Sequence, residues 1–451
     1  MADYRPDPKI LELGPEFYDA VEPARFPKAI PRFVNQRWAG RIGLSDVDWE
    51  AHFHRFEQLP DNLPQPLALR YHGHQFRSYN PEIGDGRGFL FAQLRDERGR
   101  LLDLGTKGSG QTPYSRFGDG RLTLKGGVRE VLATEMLEAL GVNTSKTFAL
   151  FETGEDLERG DEPSPTRSSV LTRLSHGHIR IGTFQRLAFF GEQANIEKLI
   201  SYCLRHLYGD DASAGAHRLF ELVATATARL AASYMAAGFV HGVLNSDNIA
   251  ITGESFDYGP WRFTPDWQDG FTAAYFDETG LYAFGRQPEA IHWDLAQLAG
   301  CLALVAEAPP LADRLQAWPI LFEAELIAAI LGRLGIDPAG DGRDRPLGAA
   351  TIKALQSRHI GIDRFFFDWR GGVDPGADLY PQEPFRDLAK LFEGRANPDE
   401  RAHPYWSDEA PCSMHIEEVE SIWAAIADHD DWEPFQAKVA AIRRMGDAHE
   451  G

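Results

Sequence analysis

The segment HGVLNSDN (241–248) constrains this chain more than any other stretch. It follows a long amphipathic pattern and precedes a short apolar run, IAIT (249–252). Asp257, in Asp257-Tyr258-Gly259, comes nine positions after Asn248. An Asn amide and an Asp carboxylate are hard oxygen donors, suited to Mg²⁺, which takes a few protein oxygens and fills its sphere with substrate phosphates and water. Taken alone, the loop also fits a polar turn between two helices, because short motifs recur by chance.

The upstream half supplies what such a loop would face. FLFAQLR (89–95) and RLLDLGTK (100–107) alternate as two strands of a hairpin, joined at DERG. Lys107 ends the second strand. Glu130 follows 23 positions later in a predicted helix over 128–140, where Val128, Leu132, Met136 and Leu140 recur every fourth residue and Gly141 ends the pattern. A Lys107–Glu130 ion pair would hold the lysine head group against phosphates. Before the hairpin, IGDGRGF (83–89) offers Gly84, Gly86 and Arg87, a loop whose backbone can approach phosphate oxygens. A second turn, Gly118-Asp119-Gly120, lies in KGSGQTPYSRFGDGR, and RLSHGHIRIGTFQ carries Arg173 and Arg180. Three arginines and a lysine gathered by these motifs, in a chain of net charge −21, predict a local triphosphate cradle.

The order of parts is that of protein kinases, in which HRDxxxxN is followed by DFG and the Asn and second Asp hold Mg²⁺. In that register His241, Asn248 and Asp257 match, but Val243 stands where a kinase keeps its catalytic Asp. Valine accepts no proton. Asp247, adjacent to Asn248, is the nearest replacement. The pairs His72/His74 and His176/His178 have no carboxylate or Cys partner at metal-site spacing and read as hydrogen-bonding residues.

Three units are expected: an N-terminal extension packed on the core (1–65), a β-rich lobe (66–190) and a helical lobe with a C-terminal extension (191–451). Helices are predicted at 193–208, 215–237, 289–306, 318–333 and 415–428, strands at 147–152 and 168–174, and surface loops at 153–166 and 338–346. The acidic DHDDWE (428–433) reads as a solvated face. The fold class is α+β, a kinase-like two-lobe fold. The acidic balance argues against nucleic-acid and anionic-membrane partners. No apolar run approaches the ~20 residues of a membrane span. The first residues lack a signal-peptide pattern, and Cys203, Cys301 and Cys412 form no CxxC pair, so a reducing, cytoplasmic setting is expected.

Together YHGHQF…IGDGRG, TKGSGQTPYSRFGDGR, VREVLATEML, LTRLSHGHIRIGTFQ, HGVLNSDN, DYGPW and QPEAIHWDLAQLAGCL resemble the selenoprotein O (SelO/YdiU) family of pseudokinase protein adenylyltransferases, over about residues 71–303. The resemblance implies that ATP binds in a flipped orientation, with its γ-phosphate buried and its α-phosphate facing a Ser, Thr or Tyr hydroxyl of a protein substrate. AMP would be transferred and pyrophosphate released. It further implies that Gly84, Gly86, Arg87, Lys107, Asp119, Gly120, Arg173, Arg180 and Asp257 contact ATP. Asn248 and Asp257 would bind Mg²⁺ or Mn²⁺, Asp247 would accept the proton and Glu130 would pair with Lys107. The family's Cys-x-x-Cys or selenocysteine-like tail has no match here, only Cys412 well before the end, which puts redox regulation through such cysteines in doubt. Phosphotransfer by a true kinase and a silent nucleotide-binding scaffold remain as alternatives. Val243 speaks against the first, and the intact Lys107, Glu130, Asn248 and Asp257 against the second.

Overall fold

A computed structural model describes residues 2–160, 162–376, 380–381 and 383–450. The first part of the chain alternates strands and short helices: β1 (Tyr18–Ala20), β2 (Ile30–Val34), α1 (Gln36–Ile42), α2 (Trp49–Phe53), β3 (Leu67–Leu69), β4 (Gly73–Gln75), β5 (Ser78–Asn80), β6 (Leu90–Arg95), β7 (Leu101–Lys107) and β8 (Leu122–Thr123). Then come α3 (Leu124–Ala139), β9 (Lys146–Leu157), β10 (Thr166–Ser175), α4 (Ile181–Phe189), α5 (Gln193–Tyr202), α6 (Gly215–Ala237), β11 (Phe239–Val240) and β12 (Arg262–Phe263). The rest is helical: α7 (Gln287–Leu302), α8 (Ala308–Leu334), α9 (Asp344–Gln356), α10 (Ile362–Asp368), α11 (Phe385–Leu391), α12 (Ile416–His429) and α13 (Glu433–Glu450).

One antiparallel sheet runs in the order β1-β3-β6-β7-β10-β9-β2, with β8 also pairing β10. Alternation along the strands, reset by a register shift beside Phe148 of β9, sends side chains to two different cores. Leu150 and Leu171 join Val128, Leu132 and Met136 of α3 on one face. Phe148, Phe151 and Val170 join Trp38, Ile42 and Phe53 of α1 and α2 on the other. The segment 1–65 therefore covers a sheet face and supplies both edge strands: β1 pairs β3, and β2 pairs β9.

Several elements differ from the sequence expectation, each for a local reason. α3 begins at Leu124 because the Thr123 hydroxyl caps it, accepting from the Gly126 N–H. β9 continues through Thr153-Gly154-Glu155-Asp156-Leu157, where a loop is expected, because β10 pairs with it out to Thr166↔Leu157. The helix expected over 193–208 is α5 followed by a π-helical stretch at Cys203–Tyr208. α8 is longer than 318–333 and carries Pro319 inside it. Its most apolar 18 residues have a mean hydropathy of 1.4, so among the described residues it is the one helix long and apolar enough to cross a membrane. Here Trp318, Leu326, Ile330 and Leu334 are buried against the rest of the helical region, and Trp318 Nε1 donates to the Ala224 carbonyl of α6. The acidic cluster near 430 is not merely a solvated face. Asp430 accepts from Arg167 at 2.7 Å and from Arg32 at 3.2 Å, tying the α12–α13 turn to the sheet.

Candidate active site

A cleft of ≈ 690 Å³ opens where β7 and β10 meet the 241–259 segment. Its lining includes Gly84, Gly86, Arg87, Lys107, Asp119, Gly120, Arg173, Arg180, Asp247 and Asp257. Residues read from separate stretches of sequence thus share one cavity.

Strand pairing brings the floor together. Arg173 of β10 lies opposite Gly105, two positions from Lys107 on β7, so Arg173 and Lys107 share a sheet face. Behind them α3 presents Glu130, buried at 1% exposure. Lys107 Nζ is 2.6 Å from Glu130 Oε2 and 3.0 Å from Asp257 Oδ1, and donates to the Tyr258 carbonyl. Arg173 stands 3.5 Å from Asp257 and 3.7 Å from Glu130. Asp257 has φ of +62°, a left-handed backbone that turns its carboxylate toward these cations. Burial alone would raise that carboxyl; Lys107, Arg173, Arg87 and Arg180 outweigh it and hold it well below the usual carboxylate range.

Arg180 is buried at 1% exposure and caps the start of α4. Its guanidinium donates to the Asp247 carbonyl at 3.0 Å, approaches Asp85 at 3.6 Å and lies over the Tyr71 ring at 4.1 Å. Asp247 lines the cleft, and its Oδ1 is buried with no hydrogen-bond partner among the described residues. Burial pushes its carboxyl up to about 7, against the pull of Arg180. Asn248 does not line the cleft; its amide nitrogen donates to the Val243 carbonyl at 2.9 Å, which fixes the amide plane beside Asp247. His241 is buried and anchors the loop: its backbone N–H donates to Gln287 and its Nε2 bonds the Phe256 carbonyl.

The two Gly-rich turns fold onto each other. A Cβ at Gly84 would meet the Tyr114 ring at 2.5 Å, and one at Gly86 the Tyr114 carbonyl at 3.0 Å. The Thr112 and Ser115 hydroxyls donate to the Asp85 and Gly86 carbonyls. Both glycines are thus required by close packing of 112–115, whether or not a phosphate is near. Asp119 is exposed at the mouth, paired with Arg159 at 2.9 Å, while Gly120 takes a positive φ of 70° against Gly110.

Sequence reading missed Asp85, a carboxylate inside the first GDG turn whose pKa burial raises, and Tyr71 beneath Arg180. Asp85 was in view, but a GDG triplet reads as a turn. Tyr71 carries no signal of its own.

The donor set fits a divalent cation. Of the two expected ligands, Asp257 lines the cleft among its cations, while Asn248 stands outside the lining with its amide nitrogen held by the Val243 carbonyl; a carboxylate and an amide oxygen are donor types suited to a hard divalent cation. Among the described residues no three His, Cys, Asp or Glu side chains are grouped so as to hold a metal ion by themselves.

Comparison with known proteins places the chain in a family. The sequence matches the model of the family protein adenylyltransferase SelO over residues 2–383, well beyond the 71–303 span in which the sequence motifs lie. A protein from Gloeobacter violaceus named protein nucleotidyltransferase YdiU is 42% identical, covering 97% of this chain and 95% of its own. The namesake from Synechocystis is 41% identical over 97% of both chains, and that from Pseudomonas putida 36% identical over 85% of this one. This chain belongs to the SelO family of protein adenylyltransferases.

Proposed function

We propose that the chain transfers AMP from ATP to hydroxyl side chains of proteins, with the sheet-bearing and helical parts acting as the two lobes of a kinase-like fold. The reading rests above all on one arrangement: four cations, Lys107, Arg87, Arg173 and Arg180, surround Asp257 in a cleft whose free carboxylate is Asp247, while residue 243 is valine.

In this reading the cationic floor takes the β- and γ-phosphates, so the α-phosphorus faces Asp247. Lys107, held by Glu130, and Arg173 neutralise charge as it builds on the departing pyrophosphate. Arg87 and Arg180 contribute from the cleft wall, and Gly84, Gly86, Asp119 and Gly120 line the path of the rest of the nucleotide. Asn248 and Asp257 would hold Mg²⁺, which when bound supplies Lewis-acid stabilisation of the phosphate oxygens. Asp247 takes the proton of the incoming Ser, Thr or Tyr hydroxyl. The hydroxyl oxygen bonds the α-phosphorus, the bond from that phosphorus to the α–β bridging oxygen breaks, and pyrophosphate leaves. A carboxyl with a pKa near 7 is matched to proton acceptance at neutral pH. The cytoplasm, with its ATP, is the compartment we assign.

Intact-mass spectrometry of the full chain after incubation with ATP and Mg²⁺, beside Asp257→Ala, tests the proposal. The expected result is an adenylyl increment in the wild type and none in the variant. A phosphate-sized increment would overturn it in favour of a kinase.

A further inference from the structure

β4 and β5 form a two-stranded sheet of their own, apart from the main sheet. A lone hairpin is marginal in water, so its conformation is set by what it touches. Phe76 and Arg77 at its tip have φ of +49° and +63°, values that favour Asn or Gly in a two-residue hairpin turn. Such backbone persists in bulky residues only where the surroundings over-determine it.

Those surroundings are the residues just before Asn248. The His74 N–H donates to Ser246 Oγ at 2.7 Å. The Ser246 hydroxyl donates to Gln185 Oε1 of α4 at 2.6 Å, and Gln185 Nε2 donates back to His74 Nδ1 at 2.6 Å. The ring of bonds is closed; with the Gln185 amide so oriented, His74 accepts at Nδ1 and carries its proton on Nε2. Burial lowers the His74 pKa, in keeping with a neutral imidazole. The Phe76 N–H donates to Asn245 Oδ1 at 3.0 Å, which also accepts from the Tyr282 hydroxyl at 2.7 Å. Two glycines let the pieces close. A Cβ at Gly73 would lie 2.7 Å from Asp247 Oδ1, and one at Gly182 would collide with the His72 carbonyl and stand 3.5 Å from Asp247 Cα. None of these bonds reaches Lys107, Arg173 or Asp257; the hairpin meets the cleft through Gln75, which is part of its lining.

We propose that the β4–β5 hairpin is a clamp that positions Asp247 through the His74–Ser246–Gln185 ring, making His74 and Gln185 positioning residues for proton acceptance. The inference rests on Asp247 being the acceptor. Oδ1 of Asp247 is buried without a hydrogen-bond partner among the described residues, and its neighbour Ser246 is held from two sides.

The test measures pyrophosphate release from ATP and Mg²⁺ by the full chain, with ATP affinity by calorimetry and melting temperature alongside. Gln185→Ala is expected to lower kcat by about 10- to 100-fold, the cost of a small misplacement, with ATP affinity and melting temperature close to wild type. Gln185→Glu is expected to recover most of that loss, because Glu still accepts from Ser246 and the His74 proton can move to Nδ1 to restore the second bond. Asp247→Ala is measured beside them, and adding Gln185→Ala to it should cost nothing further. A Gln185→Ala variant with wild-type kcat, a loss of ATP affinity parallel to kcat, or a Glu variant no better than Ala would each overturn the clamp. Wild-type turnover in Asp247→Ala would instead sink the acceptor assignment itself.

Discussion

On the sheet side of the cleft, buried charges sit against opposite charges: Lys107 between Glu130 and Asp257, Arg173 within 3.7 Å of both. On the helical side, at Asp247 in the cleft and at Asp294 behind the cleft lining, the opposite holds. Asp247 keeps an unbonded oxygen, and Asp294 of α7, buried at 1% exposure, has no hydrogen-bond partner for either carboxylate oxygen among the described residues. Burial, then the nearby Asp247, pushes the Asp294 carboxyl well above its ordinary range. One wall is organised in advance to meet a polyanion. The other is built to hold protons. A paired charge costs little to keep and much to break, whereas an unpaired buried carboxyl costs stability until it is protonated.

Substitutions can sharpen or break that contrast. The largest effect is expected from Asp257→Ala, a loss of about 10²- to 10³-fold in AMP transfer, the scale for removing a transition-state contact. Without metal the same variant should bind ATP more tightly than wild type, since Lys107 and Arg173 lose a competing carboxylate; calorimetry in EDTA checks the sign. Next comes Lys107→Met, which leaves Glu130 buried with only Arg173 nearby and should cost about 3–5 kcal/mol in urea unfolding. Lys107→Met combined with Glu130→Gln should recover most of this, and no recovery would mean the pair is not what stabilises the floor. On the other wall, Asp294→Asn should change the pH dependence of stability. The folded-state pKa is raised, so wild-type stability is fully present below the ordinary carboxyl pKa and falls as pH rises toward the folded value. The variant's urea midpoint should therefore vary less between pH 5 and pH 8 and exceed wild type at the upper end. The smallest effect belongs to Phe117→Ala at the cleft mouth, where the side chain is fully exposed; stability should stay within about 0.5 kcal/mol.

What could be read from the sequence follows from the range of the interactions. Lys107 and Glu130 belong to one hairpin and the helix after it, so their spacing already pointed to the pair, which stands at 2.6 Å. The 215–237 helix showed its period and begins and ends where predicted. By contrast, Gly154–Leu157 looks like loop by residue type and becomes strand only because β10 returns alongside. The edge strands β1 and β2 are three and five residues long, too short for a pattern. Asp294 sits in an unremarkable helical stretch, and its isolation is a property of everything packed around it. His74 was legible as a hydrogen-bonding residue, but its partners lie 111 and 172 positions away.

The contact of Arg32 with Asp430 joins residues 398 positions apart. A few residues further along, Arg443 of α13 reaches Glu135 of α3 at 2.7 Å, against a carboxylate only 2% exposed. During synthesis, β2 and α3 leave the ribosome hundreds of residues before these partners exist. Until α13 arrives, the nascent chain carries a sheet edge without its final tether, and Glu135 has Asn35 and the more distant Arg37 but not its closest cation. A product cut short before α13 would keep every residue of the cleft and still lack the cation that sits closest to buried Glu135, leaving it easier to open to the proteases that sample it.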